Sequence, residues 1–245
     1  MQEGVPSVAV ILCAGGSSHR MGGVKKEYLS MPEQGRSVLS SSLAAFAACP
    51  HITTIAIVIL PCTEAEARAS AGDQDGSSKA ELLFVEGGVT RRASVHNALN
   101  ALKAFNPSHV LIHDGARPWV TPELIKRVMD AVLKFDAAIP VLPLIETPKE
   151  LANVQDDPAE GEMRFIKRHL KRNDVGTAQT PQGFRFLEIL AAHEKAAQRE
   201  VKEGIEYTDD AEVWGEFVGR VAVVEGDPRN RKITYPEDLL AGSAS

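Results

Sequence analysis

The sequence lacks the features that mark disulfide-bonded, secreted and membrane proteins. Its three cysteines, Cys13, Cys49 and Cys62, are odd in number and show no C-x-x-C spacing. This argues against a disulfide scaffold or a cysteine-rich zinc site and favours a reducing compartment. No apolar run approaches the ~18 residues of a membrane span, and the N-terminus has no basic region of the kind found in signal peptides. We therefore expect a cytoplasmic protein without a membrane partner.

An excess of positive charge is also lacking. The chain has 27 basic and 33 acidic residues, which gives a formal net charge of -6. Sequence-independent binding to nucleic acid needs a basic surface, so we expect no nucleic-acid partner. A polyanionic ligand remains possible where a few cations are concentrated at one site. The 245 residues, 44% of them hydrophobic, are sufficient for a full-sized core.

The first glycine-rich segment matches none of the common phosphate-binding motifs. Residues 14–26 (AGGSSHRMGGVKK) contain neither G-x-G-x-x-G nor G-x-x-x-x-G-K-[ST]. They nevertheless follow an apolar run, and small residues let backbone N–H groups approach an anion closely. The alternative is a surface turn with solvated cations. The position at a strand end favours a ligand site, with three cations available: Arg20, Lys25 and Lys26.

Short β-rich runs alternate with helical patterns along the first 141 residues. One helix is indicated by an apolar stripe from Val95 to Phe105, and another by a stripe that starts at Leu124, behind Thr121 as N-cap and Pro122. We also predict a helix near residues 184–199, a helix start at 208–211 and a last strand at 220–224. This alternation predicts an α/β fold with a mainly parallel sheet covered by helices. The earlier strands are predicted at 8–13, 54–60, 81–85, 109–113 and 137–141.

The alternation lapses between about residues 143 and 175. Residues 149–162 carry five carboxylates, and residues 164–172 then carry five cations. An acidic limb followed by a basic limb, with a turn at 157–161, predicts a projecting hairpin. The alternative is a solvated surface loop.

Eight segments resemble, in order and spacing, the motifs of one enzyme family, the 2-C-methyl-D-erythritol 4-phosphate cytidylyltransferases of the sugar and polyol nucleotidyltransferase superfamily. The resemblance extends from about residue 8 to residue 239, almost the whole chain. The segments are 14–21 (AGGSSHRM, followed by KEYL at 26–29), 86–94 (EGGVTRRAS), 113–118 (HDGARP), 146–149 (ETPK), 171–173 (KRN), 180–182 (TPQ), 207–211 (YTDDA) and 224–234 (VEGDPRNRKIT).

The resemblance implies an activity, a cofactor and a set of site residues. The activity is transfer of a cytidylyl group from CTP to 2-C-methyl-D-erythritol 4-phosphate with release of pyrophosphate, and the cofactor is Mg²⁺ bound by Asp114. It also implies that Arg20, Lys26 and Lys232 are catalytic cations. The implied CTP-binding residues are Ala14, Gly15, Gly16, Gly88 and Ser94, and the implied polyol-phosphate-binding residues are Arg117, Thr147, Arg172, Thr180 and Thr208.

The resemblance further implies a Rossmann-like nucleotidyltransferase fold and a homodimer. In this family a β-arm from each subunit embraces its partner, and here the arm corresponds to about residues 143–173. We therefore expect residues 1–245 to form a single nucleotidyltransferase domain with this arm inserted, and no second enzyme of the pathway fused to it.

Several of these residues also have plain structural interpretations. Ser94 and Thr208 stand where a helix N-cap is possible, and Asp114 is a possible turn cap. We expect His113 to be a core or edge histidine and Cys13 to be an inert thiol.

Val89 departs from the family, in which a polar residue near the ribose is common. Two rival functions remain open: a ribitol-5-phosphate cytidylyltransferase and a non-catalytic CTP-binding module.

Overall fold

The structure of the chain is a computed structural model, and it describes residues 6–16, 18, 21–32, 35–72, 80–152 and 164–239. Within these ranges every helix is too short or too polar to cross a lipid bilayer. The α-helices are α1 (Val38–Ala47), α2 (Glu64–Ala71), α3 (Arg91–Leu102), α4 (Pro122–Phe135), α5 (Phe186–Glu203) and α6 (Asp210–Phe217). The strands are β1 (Val8–Cys13), β2 (Ile52–Ile59), β3 (Glu81–Glu86), β4 (His109–Asp114), β5 (Ala137–Pro143), β6 (Lys149–Leu151), β7 (Ile166–His169), β8 (Gly176–Ala178), β9 (Gln182–Arg185) and β10 (Ala222–Glu225).

The main sheet, as far as the structure describes it, has eight strands. Its order is β10-β5-β9-β4-β1-β2-β3, and β8 pairs with β5. The pairs β1–β2, β1–β4, β2–β3 and β5–β10 are parallel, whereas β9 runs antiparallel between β4 and β5. The prediction of a mainly parallel sheet is confirmed.

Helices cover both faces of this sheet, as predicted. Alternate residues of a strand point to opposite faces, so Val10 and Leu12 pack with α1, α2 and α4, while Ala9 and Ile11 pack with α3, α5 and α6. Burial on both faces explains why β1 is a continuous apolar run rather than an alternating one.

The predicted strands are present with small shifts at their ends, and Thr121 caps α4 by accepting a hydrogen bond from the backbone N–H of Leu124 at 3.2 Å. The helix predicted from about residue 184 begins at Phe186, because residues 182–185 form β9. Gly183 explains how this short strand fits beneath α4. A Cβ there would lie 2.3 Å from Cγ2 of Val132.

The segment predicted as a hairpin contains two short strands outside the main sheet. Strands β6 and β7 pair antiparallel with each other. The carboxylate of Glu150 lies 3.4 Å from the Lys167 ammonium and 2.8 Å from the Arg168 guanidinium. This pairs the acidic limb with the basic limb. The predicted turn at 157–161 lies outside the described residues, and both the projecting arm and the single-domain organisation stay predictions.

Candidate active site

A cavity of about 510 Å³ lies where the carboxyl ends of the parallel strands meet. Strands β1 and β4 end side by side there, with Cys13 opposite Asp114. Open α/β sheets bind ligands at this edge. The cavity brings together seven of the predicted site residues, which come from four separate parts of the sequence: Gly15, Gly16, Lys26, Gly88, Ser94, Asp114 and Lys232.

The glycine-rich loop forms one wall of the cavity. Lys25 braces it, because its ammonium donates to the carbonyl of Gly16 at 2.6 Å and lies 3.2 Å from the carboxylate of Glu27. Burial lowers the pKa of Lys25. Lys26 also lines the cavity, and only 9% of its surface is exposed. Arg20 lies outside the described residues, so its catalytic role stays a prediction.

The segment before α3 forms the opposite wall, and its shape depends on Gly88. A Cβ at Gly88 would lie 2.6 Å from the Cβ of Ala93, so only glycine fits against the first turn of the helix. The hydroxyl of Ser94 accepts from the N–H of Gly88 at 3.0 Å and donates to the carbonyl of Thr90 at 2.8 Å. Thr90 is the N-cap of α3, so the capping interpretation of Ser94 is wrong.

Asp114 is the carboxylate at the centre of the site. Its Oδ2 lies 3.0 Å from the ammonium nitrogen of Lys232 and 3.3 Å from Nε of Arg117. Burial by itself would raise the pKa of Asp114, but Lys232, Arg91 and Arg117 outweigh it and hold the pKa well below its ordinary value. Asp114 is therefore an anion at neutral pH, and its side chain contacts cations rather than capping a turn.

A buried histidine and threonine fix the backbone at Asp114. Burial lowers the pKa of His113 to about 4, so its ring is neutral. Nε2 lies 3.2 Å from the carbonyl of Arg117 and Nδ1 lies 2.9 Å from the hydroxyl of Thr180. Because a carbonyl only accepts, Nε2 carries the proton and Nδ1 accepts from Thr180. Thr180 in turn accepts from the N–H of Asp114 at 3.1 Å. His113 is thus the core histidine that the sequence predicts.

The C-terminal segment places Lys232 at the same point. Nδ2 of Asn230, which is fully buried, donates to the carbonyl of Thr180 at 2.7 Å. Nη1 of Arg117 donates to the carbonyl of Asn230 at 2.8 Å, and the N–H of Ile233 donates to the carbonyl of Ala116 at the same distance. These bonds hold the residues on either side of Lys232, so its ammonium meets Asp114.

The other predicted site residues that lie within the described ranges do not line this cavity. Ala14 is buried. Arg117 and Thr180 form hydrogen bonds with Asp114 but do not line the cavity themselves. Thr147 and Arg172 are exposed near β6 and β7. Thr208 donates to Glu212 at 2.9 Å through its hydroxyl and again through its N–H. The N-cap of α6 is Asp209, so the capping interpretation of Thr208 is wrong by one residue. The polyol-binding roles stay predictions.

Three further residues of the cavity bear on its chemistry. Arg91 is a cation of the cavity that was not among the predicted site residues, although it stands between Gly88 and Ser94 in a matched motif. Its position at the start of the helix that follows β3 was the available signal, because the residues shortly after a parallel strand face the ligand crevice. Cys13 also lines the cavity, and burial raises the pKa of its thiol to about 12, which agrees with an inert thiol. Val89 stands fully exposed at the cavity.

A glycine-rich loop, several cations and one ionised carboxylate at the carboxyl edge of a mainly parallel sheet define an α/β protein of the nucleotide-binding class. Comparison with known proteins narrows this class. The family model described as 2-C-methyl-D-erythritol 4-phosphate cytidylyltransferase matches residues 8–244. The chain therefore belongs to this family.

Similar proteins agree with the assignment. The chain is 40% identical to 2-C-methyl-D-erythritol 4-phosphate cytidylyltransferase of Cereibacter sphaeroides, over 95% of this chain and 93% of the relative. It is 41% identical to the bifunctional enzyme IspD/IspF of Bradyrhizobium sp. (strain ORS 278), over 96% of this chain and 56% of the relative. The chain thus spans about half the length of the bifunctional relatives that it matches.

The fold matches solved structures of the same family. The crystal structure of 4-diphosphocytidyl-2C-methyl-D-erythritol synthase from Anaerococcus prevotii superimposes with a TM-score of 0.79 at 26% sequence identity. The match covers 97% of this chain and 94% of that one. The predicted fold class is confirmed.

Proposed function

We propose that this chain transfers a cytidylyl group from CTP to 2-C-methyl-D-erythritol 4-phosphate. A phosphate oxygen of the polyol attacks the α-phosphorus of CTP and forms a new O–P bond. The bond between the α-phosphorus and the bridging oxygen breaks, and pyrophosphate leaves with its electron pair. The single observation that carries the proposal is the presence of Lys26, Lys232 and Asp114 in one cavity beside the glycine-rich loop.

The charges of the site fit this reaction. Nucleophile, reaction centre and leaving group are all anionic, so positioning and electrostatic stabilisation supply most of the catalysis. Lys26 and Lys232 enter the cavity from opposite ends of the sequence, and both ammonium groups would bind phosphate oxygens. Arg20, predicted in the same loop, would add a third cation. Gly15, Gly16, Gly88 and Ser94 would enclose the nucleoside.

The donor set also fits Mg²⁺. This ion prefers oxygen ligands and is often held by one or two carboxylates together with substrate phosphates. Asp114 is ionised and reaches the cavity. Among the described residues no cluster of three or more potential metal ligands occurs, so the phosphates would supply much of the coordination. When bound, Mg²⁺ would neutralise charge that develops on the phosphate oxygens.

The proposal includes a homodimer in the cytoplasm. Four large apolar side chains near the β6–β7 pair are exposed: Ile145, Leu151, Phe165 and Ile166. An exposed apolar group of this kind is suited to contact with a second copy. Arg172 donates to the carbonyl of Ile145 at 2.9 Å and does not line the cavity of its own chain. A role for Arg172 and Thr147 at the partner's polyol site is therefore part of the proposal.

A two-acceptor assay tests the function. The protein is incubated with CTP, Mg²⁺ and either 2-C-methyl-D-erythritol 4-phosphate or ribitol 5-phosphate, and pyrophosphate release is measured. We expect release with the first acceptor and little with the second. Faster release with ribitol 5-phosphate would assign the chain to the rival cytidylyltransferase. CTP binding without release from either acceptor would indicate a non-catalytic module.

A further inference from the structure

Two consecutive arginines begin α3, and they face different surroundings. Arg92 is buried to 7% exposure, and its Nε lies 2.6 Å from the carboxylate of Glu200 in α5. Arg91 instead lines the cavity, and its side chain is 30% exposed. Arg92 therefore joins two helices, whereas the guanidinium of Arg91 is accessible to a ligand in the cavity.

The guanidinium of Arg91 is held at one end by Asp210. Its Nη2 lies 2.7 Å from Oδ2 of Asp210, the first residue of α6. Asp210 is 1% exposed, and its N–H donates to Oε1 of Gln182 at 3.1 Å. Oδ1 of Asp210 lies 3.2 Å from Nε2 of His193, which is completely buried. The backbone of Asp210 is thus held by Gln182, and its buried carboxylate lies between the Arg91 guanidinium and the His193 ring.

Arg91 lines the same cavity as Asp114 and Lys232, the charged pair at the centre of the site. An arginine that is fixed at one end and open to a cavity at the other is well suited to bind phosphate, because a guanidinium presents several donors in a planar fork.

We infer that Arg91 binds the anionic part of CTP and that Asp210 is the positioning residue that holds its guanidinium in the cavity. The identity of the nucleotide rests on the proposed function. The nucleotide is favoured over the polyol phosphate because the cavity is lined by four predicted CTP-binding residues and by none of the predicted polyol-binding residues.

The contrasting interpretation is that the Arg91–Asp210 pair only joins α3 to α6. The two interpretations make opposite statements about CTP affinity, which isothermal titration calorimetry with CTP and Mg²⁺ measures without any turnover. We expect Arg91→Gln to raise the Kd for CTP about tenfold or more, equivalent to about 1.4 kcal/mol. Arg91→Lys, which retains the charge, should raise the Kd less.

The matched control is Arg68→Gln. Arg68 is an exposed arginine whose guanidinium lies 2.7 Å from the carboxylate of Glu64. We expect the Kd of the Arg68→Gln variant for CTP to stay within twofold of that of the parent protein. If Arg91→Gln also binds CTP within twofold of the parent while its melting temperature falls, the pair is only a tether and the inference is overturned. A selective rise in the KM for the polyol phosphate would overturn it as well.

A double-mutant cycle tests the role of Asp210. Because Asp210 acts through Arg91, Asp210→Asn should weaken CTP binding less than Arg91→Gln, and the double variant should be no weaker than Arg91→Gln alone. Additive effects would remove Asp210 from the inference. Circular dichroism identifies variants that fail to fold, and Arg91→Lys then provides the affinity comparison.

The result of the Arg91 test can be told apart from the result of the test of the proposed function. If the parent chain binds CTP but releases no pyrophosphate with either acceptor, the proposed reaction fails, and the Kd of Arg91→Gln still decides the inference. If the parent chain does not bind CTP, both are overturned.

Discussion

The ammonium nitrogen of Lys232 lies 3.0 Å from Oδ2 of Asp114, although the two residues belong to distant parts of the sequence. Asp114 ends the buried strand β4, and Lys232 belongs to a segment that Asn230 and Ile233 fasten beside that strand end. The pair keeps Asp114 ionised and a cation in the cavity.

Removal of the Lys232 ammonium should slow the chemical step. Lys232→Ala is expected to lower kcat by about 100- to 1,000-fold, because loss of one preorganised donor to a developing charge costs about 3 kcal/mol. Steady-state pyrophosphate release measures the effect. Lys126→Ala is the control, since Lys126 is exposed and pairs with Asp130 at 2.7 Å. A fall of less than threefold for Lys232→Ala would show that its charge is not used in the reaction.

The Asp114 carboxylate should set the requirement for Mg²⁺. Asp114→Asn keeps the shape of the side chain but removes its charge, so we expect both a large loss of activity and a higher Mg²⁺ concentration for half-maximal rate. Titration of the rate with Mg²⁺ measures both quantities. Asp130→Asn on the surface of α4 provides the comparison. An unchanged Mg²⁺ midpoint in Asp114→Asn would exclude this carboxylate as the ligand.

Arg172 should affect one substrate selectively. Arg172→Ala is expected to raise the KM for 2-C-methyl-D-erythritol 4-phosphate far more than the KM for CTP, because a guanidinium binds phosphate bidentately and Arg172 does not line the nucleotide cavity. Arg168→Ala is the matched variant, since Arg168 pairs with Glu150 on the neighbouring strand at 2.8 Å. An equal rise in both KM values would place Arg172 outside the polyol site.

Protonation of Asp210 should lower the free energy of unfolding at acid pH. Burial alone would raise the pKa of Asp210, but Arg91 and His193 outweigh it and lower the pKa from 3.8 to about 2. The unfolded chain therefore binds this proton more readily than the folded chain. The lowered pKa of Asp210 therefore adds about 2 kcal/mol to the free energy of unfolding. This contribution is fully present above about pH 5 and is lost as the pH falls towards 2.

Urea unfolding followed by tryptophan fluorescence at several pH values measures this dependence. In Asp210→Asn the free energy of unfolding should be lower at neutral pH and should fall less steeply between pH 5 and pH 2. Parallel pH curves for the parent and the variant would contradict the assignment to Asp210.

The glycine in β9 should be intolerant of any side chain. In Gly183→Ala the new Cβ would lie 2.3 Å from Cγ2 of Val132 and 2.9 Å from Cδ2 of Leu111. We expect a loss of about 1–3 kcal/mol in the free energy of unfolding, the usual range for overpacking. Gly215→Ala provides the contrast, because Gly215 lies in α6 with no neighbouring atom within 4 Å of a Cβ. It should be neutral or stabilising by up to about 1 kcal/mol.

The limits of prediction from sequence are visible in particular elements. Strand β1 and the start of α4 were predictable because a continuous apolar run and a Thr-Pro cap are local signals. Strand β9 was not, because its four residues carry no period and its place depends on the fit of Gly183 beneath α4. The residues that cap α3 and α6 are Thr90 and Asp209, and only the backbone geometry separates them from Ser94 and Thr208.

The same distinction between local sequence signals and tertiary structure applies to the candidate site. Motif order in the sequence alone was enough to nominate Lys26, Asp114 and Lys232. The alternation of apolar runs with helical stripes was enough to predict a mainly parallel sheet in which Asp114 ends a strand. Only the tertiary structure decided that Asp114 is shared between Lys232 and Arg117, that Thr180 and His113 support its backbone, and that Arg91 faces the cavity. The reason is physical: periodicity and caps are properties of neighbouring residues, whereas a charged cavity forms from residues that meet only after distant strands and loops have packed together.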